Sequence, residues 1–254
     1  MIYGLRGDER VNASPGERAT CPTCRGDLVA KCGRVVAWHW AHEAKDCDPW
    51  SEGESAWHLD WKELAPPERR EVVRGPHRAD LVGPGGGVIE LQHSSISVDE
   101  IEERERFYGK MVWVFDASEF ARNLHFRARA EYVSFRWLWP RKTLLAVTKP
   151  LFFDFGNGHL LEVRKLGDDV PLGGWGYHRS QRRFAEKFLG VSEGASITPD
   201  NVSLGQWAHH VRCAGCGGSF PLALTSAVAD QSGCQVGRMC STCVSFLEEE
   251  EGVA

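Results

Sequence analysis

The 254-residue sequence predicts a mixed α/β core with a small cysteine-bearing module at each end. Three observations carry this expectation. A glycine-rich turn, Gly83-Pro84-Gly85-Gly86-Gly87, separates two short apolar runs, Ala79 to Val82 and Val88 to Leu91, as a β-hairpin requires. Helical and strand-like segments alternate on both sides of it. Nine cysteines are present, many in Cys-X-X-Cys pairs near the two ends of the chain.

Composition sets the outer bounds. A hydrophobic fraction of 42% and a charged fraction of 26% suit a globular chain with a sizeable core. No apolar run of about 18 residues occurs, so no membrane span is expected. The opening Met1-Ile2-Tyr3-Gly4 lacks the pattern of a signal peptide, which points to a cytoplasmic, reducing compartment. The net charge of −5 gives no general affinity for nucleic acid; a binding surface would have to be local.

Residues 1–48 form the first expected unit. After a polar lead-in, Cys21-Pro22-Thr23-Cys24 is followed by Trp38-His39-Trp40-Ala41-His42. Two thiolates two residues apart can share a tetrahedral Zn²⁺, and Cys21, Cys24, His39 and His42 make a complete set, with Cys32 and Cys47 as rivals. Four protein ligands leave no open position, so this zinc is a brace rather than a catalyst.

The second unit spans 49–190. Glu54 to Leu64 reads as a helix with Glu54, His58 and Lys62 on one face beside a stripe of Trp57, Trp61 and Leu64. Pro66-Pro67 ends it, and Arg69 to Arg74 leads into the hairpin. Each hairpin strand carries one carboxylate among core residues, Asp80 and Glu90, with Gln92 on the same face as Glu90. Two adjacent buried carboxylates repel unless a cation lies between them, the chemistry of a Mg²⁺-dependent phosphodiesterase. A helix capped by Ser97 or Asp99 then runs to Tyr108, bringing Arg104 and Tyr108 onto one face, and Lys110 to Phe115 is a buried strand. Tyr132–Trp139, Thr143–Thr148, Leu151–Asp154 and Leu160–Val163 are further expected strands; Gly173–Gly176 is an expected loop, and Tyr177–Leu189 a basic helix exposing Arg182 and Arg183. Residues 191–205 form a linker. The last unit, 206–254, pairs Cys213-Ala214-Gly215-Cys216 with Cys240-Ser241-Thr242-Cys243 in the spacing of a Cys₄ zinc ribbon, with Cys234 a spare thiol and an acidic tail behind.

In this order, C-P-T-C, H-W-A-H, E-S-A-W-H-L-D-W-K, R-A-D-L, I-E-L-Q-H-S-S-I and R-x-x-x-Y resemble the competence-protein CoiA-like nucleases of the PD-(D/E)XK superfamily, over about residues 20 to 116 and onward towards 190. The resemblance implies a restriction-endonuclease-like core, with Asp80 as the Asp of the motif and Glu90 as the acidic member of E-X-K. Gln92 replaces the lysine, whose charge Lys62 can supply. Glu54 and His58 match the acidic residue and histidine of the first core helix. The implied function is Mg²⁺- or Mn²⁺-dependent hydrolysis of nucleic acid, DNA above all, with Arg78, Arg104, Tyr108, Arg182 and Arg183 as candidate contacts and recombination or defence proteins as possible partners. The alternative is an accessory protein with little or no cleavage that uses its zinc modules for contacts.

Overall fold

The computed structural model describes residues 1–33, 37–43, 47–51, 53–129, 131–156, 158–167 and 172–191, together with 210–214, 219–221, 225–229 and 235–240. The first 42 residues form a five-stranded antiparallel sheet from β1 (Tyr3–Arg6), β2 (Glu9–Asn12), β3 (Arg18–Thr20), β4 (Asp27–Lys31) and β5 (His39–His42), in the order β2-β1-β3-β4-β5. Residues 1–20, expected as an edge strand or a loose lead-in, are therefore three strands. The sheet curls back on itself, since Trp40 N donates to Met1 O at 2.8 Å. Its small core is Leu28, Trp40, Ala19 and Cys21.

The main body is a nine-stranded sheet. Its first half is built from β6 (Arg70–Arg74), β7 (His77–Val82), β8 (Val88–Gln92) and β9 (Met111–Asp116). Helix α1 (Ala56–Glu63) precedes β6, and α2 (Val98–Tyr108) connects β8 to β9. That connection makes β8 and β9 parallel, as a helical crossover requires. The second half comprises β10 (Leu124–Ala128), β11 (Val133–Trp137), β12 (Leu151–Asp154), β13 (His159–Leu166) and β14 (Leu172–Ser180), giving the order β10-β11-β14-β13-β12-β9-β8-β7-β6. The central strands β8, β9 and β12 are buried along their whole length, so both faces must be covered. One face packs Trp113, Phe115, Phe153 and Trp137 with Ile101 of α2; the other packs Leu81, Ile89, Val114 and Phe152 with Trp61 of α1 and Phe184.

Three expectations about elements are corrected. Thr143–Thr148 is not a strand: Lys142–Ala146 forms a 3₁₀ turn in which Leu144 is buried while Leu145 is 41% exposed. Gly173–Gly176 is not a loop but the paired middle of β14. A Cβ on Gly176 would stand 2.3 Å from Glu162 O, so glycine here serves the close approach of backbones rather than a turn. The basic helix consequently starts late. Tyr177 to Ser180 belong to β14, Ser180 caps α3 (Gln181–Phe184), and Ala185–Leu189 continues as a π-helix.

The β7–β8 turn also depends on close approach. A Cβ on Gly83 would lie 2.1 Å from Phe188 O, so the hairpin tip rests directly on the π-helix. Most of the expected linker 191–205 lies outside the described residues, as do Cys216, Cys234, Cys243 and the side chain of Cys240. The proposed second zinc site falls there. Cys213 is described and is buried against the main core.

Candidate functional site

The polar centre begins with strand register. Leu81 pairs with Ile89 and Val82 with Val88, which sets Asp80 opposite Glu90. Arg70 pairs with Leu81 and Val72 with Ala79, which sets Glu71 opposite Asp80 from the other side. Three carboxylates thus occupy consecutive positions across β6, β7 and β8. Asp80 Oδ2 accepts from Leu91 N at 3.0 Å.

Helix α1 supplies the countercharge. Ser55 caps it in a capping box, its hydroxyl accepting from His58 N and His58 Nδ1 accepting from Ser55 N. Glu54 thus precedes the helix instead of lying on it. Its carboxylate nevertheless reaches Lys62, whose Nζ lies 2.6 Å from Glu54 Oε1, 3.1 Å from Glu71 Oε1 and 3.3 Å from Asp80 Oδ1. Lys62 is 1% exposed, so its ammonium survives burial only because of these partners. Burial alone would lower its pKa; Glu71, Asp80 and Glu54 outweigh that and hold it above the usual lysine value. Glu71 behaves inversely. Burial would raise its pKa, but Lys62, the N-terminal ammonium, Arg78 and the Ile2 N–H keep it well below the carboxylate range. It holds a left-handed backbone (φ 47°), a conformation seldom adopted outside glycine, which the contacts of its carboxylate to Lys62, Ile2 N and Tyr3 N fix in place.

Glu90 is held from α2. Arg104 donates from Nη1 to Glu90 Oε2 at 2.9 Å, from Nη2 to Trp50 O at 2.8 Å, and to Glu100. Among the described residues, Glu90 Oε1 and Glu54 Oε2 are buried without a hydrogen-bond partner. Burial, aided by the Asp80 charge and opposed by Arg104, raises Glu90 to about 8. Tyr108 lies near these acids with its hydroxyl also unpartnered among the described residues, and burial followed by the Glu90 and Asp80 charges pushes its pKa up. Between α1, the hairpin and α2 is a cavity of about 30 Å³, lined by Glu54, His58, Lys62, Glu71, Asp80 and Glu90, with Arg78 and Arg104. Such a volume takes a single water or ion.

The roof of this cavity is the segment that follows Cys47. Asp48 accepts from Arg78 N at 2.8 Å and Trp50 N at 3.1 Å, and its Oδ1 lies 2.9 Å from His77 Nδ1. Trp50 stacks face to face on His77 and lies beside the Arg104 guanidinium. Sequence reasoning missed Glu71, Asp48 and Trp50. Glu71 had a signal: the two-residue turn Gly75-Pro76 fixes the β6–β7 register and with it the pairing of positions 71 and 80.

Gln92 is buried, and its Nε2 donates to Ser94 O at 3.3 Å; it is not among the residues lining the cavity. Arg182 and Arg183 lie elsewhere, on α3.

A second cluster occupies the small N-terminal sheet. Ligand atoms of Cys21, Cys24, His42 and Cys47 all lie within 4.8 Å of one another. Cys24 Sγ is 3.3 Å from His42 Nε2, and Cys21 Sγ is 3.7 Å from Cys47 Sγ. The Cys21–Cys24 knuckle is tied by Thr23 N to Cys21 Sγ and Gly26 N to Cys24 Sγ, both 3.3 Å. Burial, followed by the neighbouring sulfurs of Cys24 and Cys21, pushes the Cys47 thiol up to about 12. Thiols this close ionise together only around a cation, and the donor set of three sulfurs and one imidazole is consistent with structural zinc. His39 is therefore corrected to Cys47. Residues three apart on a strand face opposite sides, so His39 and His42 of β5 cannot both join one site, and His39 Nδ1 instead bonds Ala37 O at 2.8 Å.

The family model of the competence protein CoiA N-terminal domain matches residues 10–49, which include all four of these ligands. No curated protein and no solved structure matches the chain. Among the described residues, no helix is long and apolar enough to cross a membrane.

Proposed function

We propose that the protein is a metal-dependent phosphodiesterase acting on nucleic acid, DNA in particular, with a PD-(D/E)XK-type centre at Asp80 and Glu90. The observation that carries this is the pair of unpartnered buried oxygens, Glu90 Oε1 and Glu54 Oε2, in a cavity lined by Asp80 and Lys62. Unpaired buried carboxylate oxygens are costly, and hard oxygen donors suit Mg²⁺ or Mn²⁺. Asp80 and Glu90 would hold the ion, with Glu54 at its edge, because Glu54 already gives Oε1 to Lys62. Bound there, a divalent cation supplies Lewis acidity to the attacking water and the scissile phosphate.

The chain's own residues do the rest. Lys62 stays charged and sits 3.3 Å from Asp80 Oδ1, where it orients a water and offsets charge gathering on phosphorus, the task given to lysine in E-X-K. Arg104 holds the Glu90 carboxylate through Oε2 and leaves its buried Oε1 for the ion. Asp80, with a side chain 22% exposed, is the carboxylate nearest solvent and so the one a phosphate meets first. Arg78, also on the lining, adds positive charge for the nucleic-acid backbone.

One observation favours the accessory alternative. Lys62 already contacts Glu54, Glu71 and Asp80, which suits a purely structural ion cluster. Incubation with single-stranded, double-stranded and branched DNA and with RNA, in Mg²⁺, Mn²⁺ or chelator, separates the two. Divalent-dependent cleavage that disappears in Asp80→Ala and Glu90→Ala proteins of unchanged zinc content supports the nuclease. Nucleic-acid binding without cleavage on every substrate supports the accessory.

A further inference from the structure

A separate cavity lies away from the carboxylates, on the face of the sheet that carries α1 and α3. It measures about 550 Å³ and is lined by Phe152, Phe184 and Phe188 with Arg179, Arg182, Arg183, Lys187, Glu162 and Glu186. That size falls in the range of small-molecule sites. Glu162 is satisfied by two guanidiniums, Arg179 at 2.7 Å and Arg164 at 3.1 Å, and Glu186 faces Arg182 at 3.5 Å. Among the described lining residues four are cationic and two acidic, around an aromatic floor. The Lys187 ammonium lies 4.8 Å over the Phe188 ring, so a cation caps the ring face that a base would take in its place.

The wall carrying Glu186, Lys187 and Phe188 is the π-helix Ala185–Leu189. A π turn is rare and concentrates at functional positions, because the extra residue displaces side chains from the α-helical spacing. The same turn bears on the tip of the catalytic hairpin through Gly83. We infer that this cavity is a nucleotide subsite, taking one base against Phe188 and its phosphate between Arg182 and Arg183. An aromatic face beside clustered arginines is the chemistry that recognises an unpaired base and its phosphate without reading sequence. The subsite rests on the nucleic-acid function proposed above for its source of ligand, either an unpaired stretch of a strand or a free mononucleotide.

The test is fluorescence anisotropy of the zinc-loaded full chain without added Mg²⁺. The probes are a labelled single-stranded oligodeoxythymidylate and the same strand made abasic, with dTMP as competitor. Phe188→Ala should weaken binding of the intact strand about 5- to 100-fold and leave the abasic strand unchanged. Arg182→Gln with Arg183→Gln should weaken both strands and reduce the salt slope by about one to two. Should Phe188→Ala unfold, Phe188→Leu keeps the packing, removes the ring and carries the same expectation. Displacement of the strand by dTMP in the wild type but not in Phe188→Ala assigns the site to free nucleotide; binding of strand alone assigns it to nucleic acid. Variants that bind both strands like the wild type overturn the subsite. Cleavage lost in Glu90→Ala with this binding intact concerns only the carboxylate centre.

Discussion

Replacing Lys62 by methionine leaves Glu54, Glu71 and Asp80 facing one another in a space about one water wide. Removing one partner from a buried ion cluster costs about 3–5 kcal/mol, so urea unfolding of Lys62→Met at pH 7 should show a loss of that size. Asp154 gives a pH signature of its own. Burial raises it from 3.8 to about 6, while the indole N–H groups of Trp57 and Trp61 and the Gly156 N–H pull the other way. A carboxyl whose folded pKa lies above its unfolded value stabilises the fold below about pH 4 and loses that contribution as pH rises through about 6. Two units correspond to about 3 kcal/mol. The stability difference between wild type and Asp154→Asn, followed by chemical denaturation from pH 4 to 7, should therefore shift against the wild type as pH rises. An invariant difference would contradict it. At this scale Asp80, Glu90 and Lys62 could be singled out from the sequence because charged residues among apolar neighbours are conspicuous. Asp154 could not, since nothing in Leu151–Asp154 reveals that two tryptophans of α1 converge on it.

The elements read most easily were those whose pattern is local. Leu151–Asp154 forms its strand, and Ser97 caps α2. The glycine-rich Leu172–Ser180 was missed because its residues are chosen by the backbones of β11 and β13 on either side, which a single segment does not display. The Cys/His cluster shows the same limit: the spacing of two histidines says that both are available, and only the strand's alternation says that one must face away. Zinc content measured on purified protein should fall by one equivalent in Cys47→Ala and stay unchanged in His39→Ala; the reverse would restore the His39 set. The contact between hairpin and π-helix is equally open to test. Gly83→Ala drives a methyl into Phe188 O and should cost about 1–3 kcal/mol in chemical denaturation.

Across the whole molecule, the small sheet and the main sheet are joined at the cleft. Cys47 belongs to the thiol cluster, Asp48 beside it binds His77 and the Arg78 N–H on β7, and Trp50 O holds the Arg104 that positions Glu90. The N-terminal strand docks there too, Ile2 N and Tyr3 N donating to Glu71. A metal held by the Cys47 cluster would thus also brace the roof of the carboxylate centre. None of this coupling was legible beforehand, because it depends on where two separately patterned sheets meet. Whether Asp80 and Glu90 form a divalent-cation site is read by Mn²⁺ titration followed by electron paramagnetic resonance. With the zinc cluster loaded, wild-type protein should bind one Mn²⁺ that Mg²⁺ displaces and that Glu90→Gln and Asp80→Asn each lose. Equal Mn²⁺ binding by all three proteins, or none by the wild type, would contradict it and leave Lys62 as the centre of a structural ion cluster.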